Sequence, residues 1–143
     1  MSQATYDDAN LILRLYDLRR EEKLRAARGW FFGNFRCKTM DEFAKLCPPG
    51  SDPNAHFRQF TSYWEMCSSF VNAGVLNADL FFANTRECLV CWERVKPLVG
   101  PAREAFKDPS YLMNLEKCGT QFAEWLTKTS GEEAYKAFVA RTA

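Results

Sequence analysis

The sequence predicts an all-α protein, folded as a compact antiparallel bundle of five to seven helices with a long N-terminal helix. Apolar side chains recur every three or four residues along most of the chain, which is the period of a helix that buries one face. No segment combines strict apolar–polar alternation with many β-branched residues, as strands do. Helix caps and short connections separate the periodic segments, so consecutive helices are expected to run antiparallel.

Length and charge predict a single domain over residues 1–143. The chain has 143 residues, 47% of them hydrophobic, and can bury a core without a disulfide or a metal ion. Its 19 basic and 18 acidic side chains leave a formal net charge of +1, so no overall field attracts nucleic acid or an anionic membrane. We therefore expect neither of these as a partner, and no cofactor.

The first helix is predicted from Tyr6 to at least Arg28, with Phe35 as its furthest end. Its apolar residues form two stripes about half a turn apart. One stripe contains Leu13, Tyr16, Leu24, Ala27, Phe31 and Phe35, and the other contains Leu11, Leu15 and Leu18. A helix that is apolar on two sides lies inside its own bundle or contacts another chain. We favour the second, and predict that Leu11, Leu15 and Leu18, with Arg14 and Arg19 as rim charges, form an interface.

The next two helices have clear start signals. Thr39 and Glu42 form a capping box for a short second helix, which ends before the proline-rich segment 47–53. The third helix is predicted over residues 54–73, with Gly74 in the position that follows a helix. Its apolar face consists of Phe57, Phe60, Tyr63, Trp64, Cys67, Phe70 and Val71.

The fourth helix is predicted to begin after its cap, Asn77, and to continue to about Val95. Pro97 and the Gly100-Pro101 pair are expected to end it, leaving a short irregular segment to Phe106.

Two further helices complete the predicted bundle. Asp108 and Pro109 indicate the start of a fifth long helix. Ser130 and Glu133 form a second capping box, which predicts the start of the last helix.

An aromatic pocket for a small apolar ligand is the alternative hypothesis. The chain has 12 Phe and 4 Trp, several of them in the third to fifth predicted helices. The residues predicted to line such a pocket are Trp64, Asn84, Trp92, Phe122 and Trp125. Asn84 is placed on the core stripe of the fourth helix, where an unsatisfied amide is costly.

The six cysteines are expected to be reduced. The N-terminus shows no secretory signal, which predicts a cytoplasmic protein. Cys67, Cys88, Cys91 and Cys118 all fall on core faces, and they would form a metal site if three helices brought them together. Free cysteine is more often a small buried hydrophobe, so we predict no metal.

No catalytic arrangement is evident. His56 is the sole histidine, and no Ser, Cys or carboxylate has a spacing that pairs with it visibly. Phosphate-binding loops and dinucleotide fingerprints are absent. We therefore predict a protein that is not an enzyme and acts by protein–protein contact, as a homo-oligomer or as an adaptor for another helical protein.

The segments 6–28, 60–64 (Phe-Thr-Ser-Tyr-Trp) and 77–81 (Asn-Ala-Asp-Leu-Phe) resemble a family of small all-helical bacterial proteins of unknown function. The resemblance covers about the first two-thirds of the chain. It implies an all-helical fold and a bacterial origin. The family has no assigned activity or catalytic residues, so the resemblance implies no site.

Overall fold

The computed structural model describes residues 3–143 and contains eight α-helices and no strand within that range. The helices are α1 (Tyr6–Arg19), α2 (Glu22–Asn34), α3 (Met40–Leu46), α4 (Asp52–Asn72), α5 (Ala78–Asn84), α6 (Arg86–Phe106), α7 (Met113–Ser130) and α8 (Glu132–Thr142). The predicted all-helical bundle is confirmed, with one helix more than the predicted range.

The predicted long N-terminal helix is wrong, because the chain breaks between α1 and α2. Glu21 departs from the helical backbone conformation (φ −58°, ψ 143°) and serves as the N-cap of α2. Its carboxylate accepts hydrogen bonds from the backbone N–H groups of Lys23 (3.1 Å) and Leu24 (3.0 Å). These bonds satisfy two amides at the new helix start. The break allows α1 and α2 to turn different faces toward the core.

The predicted fourth helix is also two helices, α5 and α6, which meet at Thr85 (φ −137°, ψ 61°). In contrast, Pro97 and Pro101 were predicted to end the helix, but α6 continues through both of them to Phe106. Both prolines lie on the exposed side of α6. Water can therefore hydrate the carbonyl groups that each proline leaves without an amide donor.

The last two helices start later than predicted. Pro109 lies in a turn, and α7 begins only at Met113, after Leu112 in a left-handed conformation (φ 55°). Gly131 (φ 99°) precedes α8, so the predicted capping box of Ser130 does not form.

Three local predictions are confirmed. The capping box of Thr39 and Glu42 forms at the start of α3. The side chain of Asn77 accepts a hydrogen bond from the N–H of Leu80 and caps α5. Gly74, with φ of +80°, follows α4 in the conformation that glycine adopts most readily.

The core is built around α4, which packs against α2 and α7, while α6 and α8 pack against α7 and against each other. The aromatic ring of Phe31 lies 5.0 Å from that of Phe35 and 4.3 Å from that of Phe60, measured between centroids. All six cysteines are buried, and none forms a disulfide. The predicted apolar face of the third helix is the face that α4 buries.

Asp8 joins the start of α1 to the connection between α4 and α5. Its carboxylate accepts hydrogen bonds from the N–H of Asn77 (2.9 Å) and from the N–H of Thr5 (2.8 Å). These two bonds hold the pKa of Asp8 below its ordinary value of 3.8, and the bond from Asn77 has the larger effect.

We expect the Asp8 bonds to make the fold less stable in acid. Because the pKa is lower in the folded chain than in the unfolded chain, the stabilisation is present above pH 3.8 and is lost as the pH falls through the folded pKa. In Asp8→Asn, the free energy of unfolding should therefore decrease less steeply as the pH falls below about 4. Chemical denaturation at several pH values checks this. Asp41→Asn, which removes an exposed carboxylate from α3, is the control. An unchanged acid profile in Asp8→Asn would contradict the expectation.

Candidate interaction site on the first helix

The structure reverses the predicted roles of Leu15 on one stripe of α1 and of Leu13 and Tyr16 on the other. Leu15 is only 3% exposed and belongs to the core of its own chain. Leu11 is half-buried against the same core, and Leu18 is 44% exposed. Leu13 and Tyr16, which were predicted to face the core, lie on the surface. The prediction was wrong here because it extended one continuous helix across the break before α2.

The outward face of α1 carries three large side chains that the core does not use. Tyr6 is 89% exposed, Leu13 is 62% exposed and Tyr16 is 48% exposed. Their spacing of seven and three residues places them along one side of the helix, with Ala9 between the first two. This is the spacing of the seam along which two helices pack in a coiled coil. We call Tyr6, Ala9, Leu13 and Tyr16 the α1 ridge.

Charges of opposite sign lie at the two ends of α1. Its first turn contains Asp7 and Asp8, whereas Arg19 ends the helix and Arg20 follows it. Both guanidinium groups lie over the ring of Tyr16, at 5.0 and 5.6 Å from its centroid. These contacts hold the ring at one end of the ridge.

The predicted rim residue Arg19 also makes a contact inside the chain. Its guanidinium forms an ion pair with Glu87 of α6, and Arg28 of α2 pairs with the same carboxylate at 2.7 Å. This cluster links α1, α2 and α6 beside the ridge. Arg14, the other predicted rim residue, is exposed.

A groove of about 310 Å³ lies beside the ridge, between α1 and the α4–α5 region. Leu13 and Tyr16 form its outer side, and its lining also includes Ile12, Leu15, Arg19, Tyr63, Trp64, Asn84 and Thr85. The hydroxyl of Tyr63 donates a hydrogen bond to the carbonyl of Leu15. Within residues 3–143, the buried Nε1 of Trp64 has no hydrogen-bond acceptor. The groove is therefore mainly apolar, with one unsatisfied donor in its lining residues.

Only two residues of the predicted aromatic pocket, Trp64 and Asn84, meet in this groove. Asn84 is exposed rather than on a core stripe, and its amide donates to the carbonyl of Leu80 at 2.9 Å. The break at Thr85 removes it from the face that α6 buries.

The other three residues of that pocket pack elsewhere. Trp92 lies directly against Gly119, and the ring of Phe122 stacks on Phe82 with centroids 4.5 Å apart. Trp125, half-buried, lies 5.8 Å from Phe82 by the same measure. In these positions they fill space between α5, α6 and α7.

Cys67, Cys88 and Cys91 behave as buried thiols, whereas a hydrogen bond with Cys88 lowers the pKa of Cys118. Burial raises the pKa of Cys67 to about 12 and that of Cys88 well above its ordinary value of 9.0. Burial likewise raises the pKa of Cys91. In the part of the chain that the structure describes, no group of three or more His, Cys, Asp or Glu side chains is placed to hold a metal ion. Cys67, Cys88, Cys91 and Cys118 are therefore not arranged as a ligand set.

The sole histidine packs against an aromatic ring. The ring of His56 stacks on that of Trp30, with centroids 6.0 Å apart and an angle of 27° between the ring planes. Its position at the start of α4, half-buried, gives it a packing role between α4 and α2.

Comparison with known protein families identifies the family of this chain. The family of the domain of unknown function DUF4760 matches residues 4–122, and the chain belongs to this family. The description of the family assigns no activity. No curated protein and no solved structure matches the sequence. None of the helices in residues 3–143 combines the length and apolar character needed to cross a bilayer.

Proposed function

We propose that this member of the DUF4760 family is a non-enzymatic interaction module that forms a homodimer through the α1 ridge. The observation that carries this proposal is the exposure of Leu13 and Tyr16 at coiled-coil spacing on a helix whose opposite side already packs on its own core. A single exposed leucine is ordinary on a protein surface. A row of large apolar side chains along one helix is typical of a surface that another helix covers.

The charges of α1 favour a second copy in the antiparallel direction. In such a pair, the acidic first turn around Asp7 lies next to Arg19 and Arg20 of the other copy. Leu13, near the middle of the ridge, then packs close to the two-fold axis, where each residue meets its own symmetry mate. A parallel pair would instead place like charges side by side. The groove beside Leu13 and Tyr16 gives the second copy a concave surface for its side chains.

We also propose a cytoplasmic location. The six free and buried cysteines support it, because proteins of oxidising compartments usually pair their cysteines.

Replacing Leu13 by glutamate is expected to abolish the dimer. Two carboxylates would then face each other near the two-fold axis, and the burial of two leucine side chains would be lost. The dissociation constant should rise at least ~100-fold, which corresponds to about 3 kcal/mol. Sedimentation equilibrium over a range of concentrations measures the mass against that of the 16.5 kDa chain.

The matched control is Val75→Glu, because Val75 has the same 62% exposure as Leu13 but lies outside α1. This variant should dimerise like the wild type. A wild type that stays monomeric at every concentration would overturn the proposal, as would equal dissociation of both variants. Unfolding curves show that each variant is folded before its mass is interpreted.

A small apolar ligand in the groove beside α1 is the second candidate function. The observation that favours it is the buried Nε1 of Trp64, which has no acceptor within residues 3–143. A ligand with an apolar body and a carbonyl oxygen would satisfy this donor by displacing the side chains that cover Nε1 of Trp64. Acetophenone should therefore shift the Trp64 indole signal in a ¹H–¹⁵N spectrum, whereas ethylbenzene, which lacks the acceptor, should shift it less. Trp64→Phe assigns the signal. An indole signal that acetophenone leaves unmoved would count against this second function.

A further inference from the structure

A second concave surface lies away from the α1 ridge, between α6, α8 and the segment 35–38 that follows α2. Its volume of about 530 Å³ is in the range of small-molecule sites. The lining contains five basic side chains and one acidic side chain: Arg36, Lys38, Arg94, Lys96, Lys136 and Glu93. Since the whole chain has a formal net charge of +1, positive charge is concentrated in this cleft. We call it the basic cleft.

The acidic residue of the basic cleft is already engaged. Glu93 is buried, and its carboxylate accepts a hydrogen bond from the hydroxyl of Tyr135 at 2.6 Å. The same carboxylate pairs with Nζ of Lys96 at 2.9 Å. Glu93 therefore offsets the charge of Lys96, and Glu132 of α8 pairs with Lys136 at 3.3 Å. The two arginines of the cleft are left without a carboxylate partner.

Arg94 is held in place by neutral acceptors. Its Nε donates to the carbonyl of Thr142 at 2.8 Å, and its Nη1 donates to the carbonyls of Phe31 and Phe32 at 2.9 and 3.3 Å. These bonds fix the guanidinium but do not neutralise it. Burial lowers the pKa of Arg94 most, and the positive charge of Arg36 lowers it further. Over residues 3–143, neither arginine forms an ion pair with a carboxylate.

Arg36 and Arg94 are neighbours, because Nη1 of Arg36 donates to the carbonyl of Phe32 at 3.2 Å and Nη1 of Arg94 donates to the same carbonyl. Two guanidinium groups this close repel each other, and an anion that contacts both stabilises them. Guanidinium groups present paired donors that match the oxygens of phosphate, and such charge-assisted bonds are among the stronger ones in proteins. The cleft also has an apolar part, because Phe35, Pro97 and Val139 contribute to its lining. A ligand that fills it needs both an anionic group and an apolar body.

We propose that the basic cleft binds a small organic phosphate, with the phosphate between Arg36 and Arg94 and an apolar or aromatic portion against Pro97 and Val139. The site does not involve the α1 ridge, so it stands independently of dimerisation.

Isothermal titration with 1-naphthyl phosphate and with inorganic phosphate tests the proposal. Naphthyl phosphate should bind at least ~10-fold more tightly than inorganic phosphate, because its rings bury apolar surface in the cleft. The variant Arg36→Gln/Lys38→Gln should weaken that binding ~10-fold or more. The matched control is Lys45→Gln/Arg58→Gln, which removes the same number of charges from exposed positions outside the cleft. It should bind like the wild type.

Several results would overturn the proposal. The wild type would then fail to bind naphthyl phosphate, or would bind both probes with equal affinity. Equal losses of affinity in Arg36→Gln/Lys38→Gln and in the control variant would also overturn it. A single-stranded oligonucleotide that binds more tightly than naphthyl phosphate, and loses affinity in the cleft variant alone, would overturn it in favour of a nucleic-acid site. The four substituted side chains are exposed, so both variants are expected to fold, and thermal unfolding verifies this.

Discussion

Replacing Gly119 by alanine should lower the free energy of unfolding by about 2 kcal/mol, although alanine is the better helix former. Gly119 lies inside α7, where the helix meets Trp92 of α6. A Cβ atom at this position would lie 2.4 Å from Cγ and 2.7 Å from Cβ of Trp92. Because the Cβ of Trp92 is tied to its backbone, a change of side-chain rotamer alone cannot relieve this contact. The helices α6 and α7 must move apart, which opens the core.

Chemical denaturation of Gly119→Ala and of Gly29→Ala measures the effect. Gly29 is also inside a helix, but nothing lies within 4 Å of a Cβ at that position. Gly29→Ala should therefore keep or raise the stability, by up to about 1 kcal/mol. The double variant Gly119→Ala/Trp92→Ala should lose less than the sum of the two single losses, because alanine at position 92 removes Cγ and Cδ1, the two atoms nearest to the added methyl group. Equal stability of Gly119→Ala and wild type would contradict the close approach of α6 and α7.

The sequence predicted best those elements whose signals are local. The apolar face of α4 extends over 21 residues, so its helical period is unmistakable. The capping box of Thr39 and Glu42 formed because both partners lie within one turn. The buried state of Cys67, Cys88, Cys91 and Cys118 followed from their places on apolar faces.

The helix breaks were missed because their causes are small or distant. Glu21 is an acceptable residue inside a helix, and only its hydrogen bonds to the next amides show that it acts as a cap. Glu65 shows the same effect over a longer range. It lies outside the predicted apolar face of its helix, yet its carboxylate accepts hydrogen bonds from the N–H groups of Asn114 and Leu115 at the start of α7. No pattern within α7 itself indicates this partner, which lies about fifty residues earlier in the chain.

The candidate site was only partly predictable for the same reason. The sequence showed that the first helix is apolar on two sides, and this is what the structure has. Which side faces the core depends on how α1 and α2 are oriented at the break after Arg19. Extending one helical period across that break assigned Leu13 to the core and Leu15 to the surface. The basic cleft was not predicted at all, since Arg36, Arg94 and Lys136 come from three separate parts of the chain.

The burial of Leu15 in the core can be tested directly. Leu15→Ala should lower the free energy of unfolding by about 2–5 kcal/mol. Leu15 is 3% exposed, so its truncation leaves a cavity next to Tyr63 and Trp64. Leu18→Ala is the matched control, because Leu18 is on the same helix and in the same predicted stripe but is 44% exposed. It should lose no more than about 0.5 kcal/mol.

Urea denaturation of the two variants measures both values, as a shift of the midpoint at unchanged slope. Similar small losses in both would show that α1 turns its other side to the core, and Leu13 would then be unsuitable as a probe of the dimer. The expected difference has a practical consequence for the dimer experiment. A charge at Leu15 would dissociate the protein by unfolding it, because it would bury a carboxylate in the core. A charge at Leu13 is expected to leave the fold intact, so loss of the dimer in that variant reports on the α1 ridge itself.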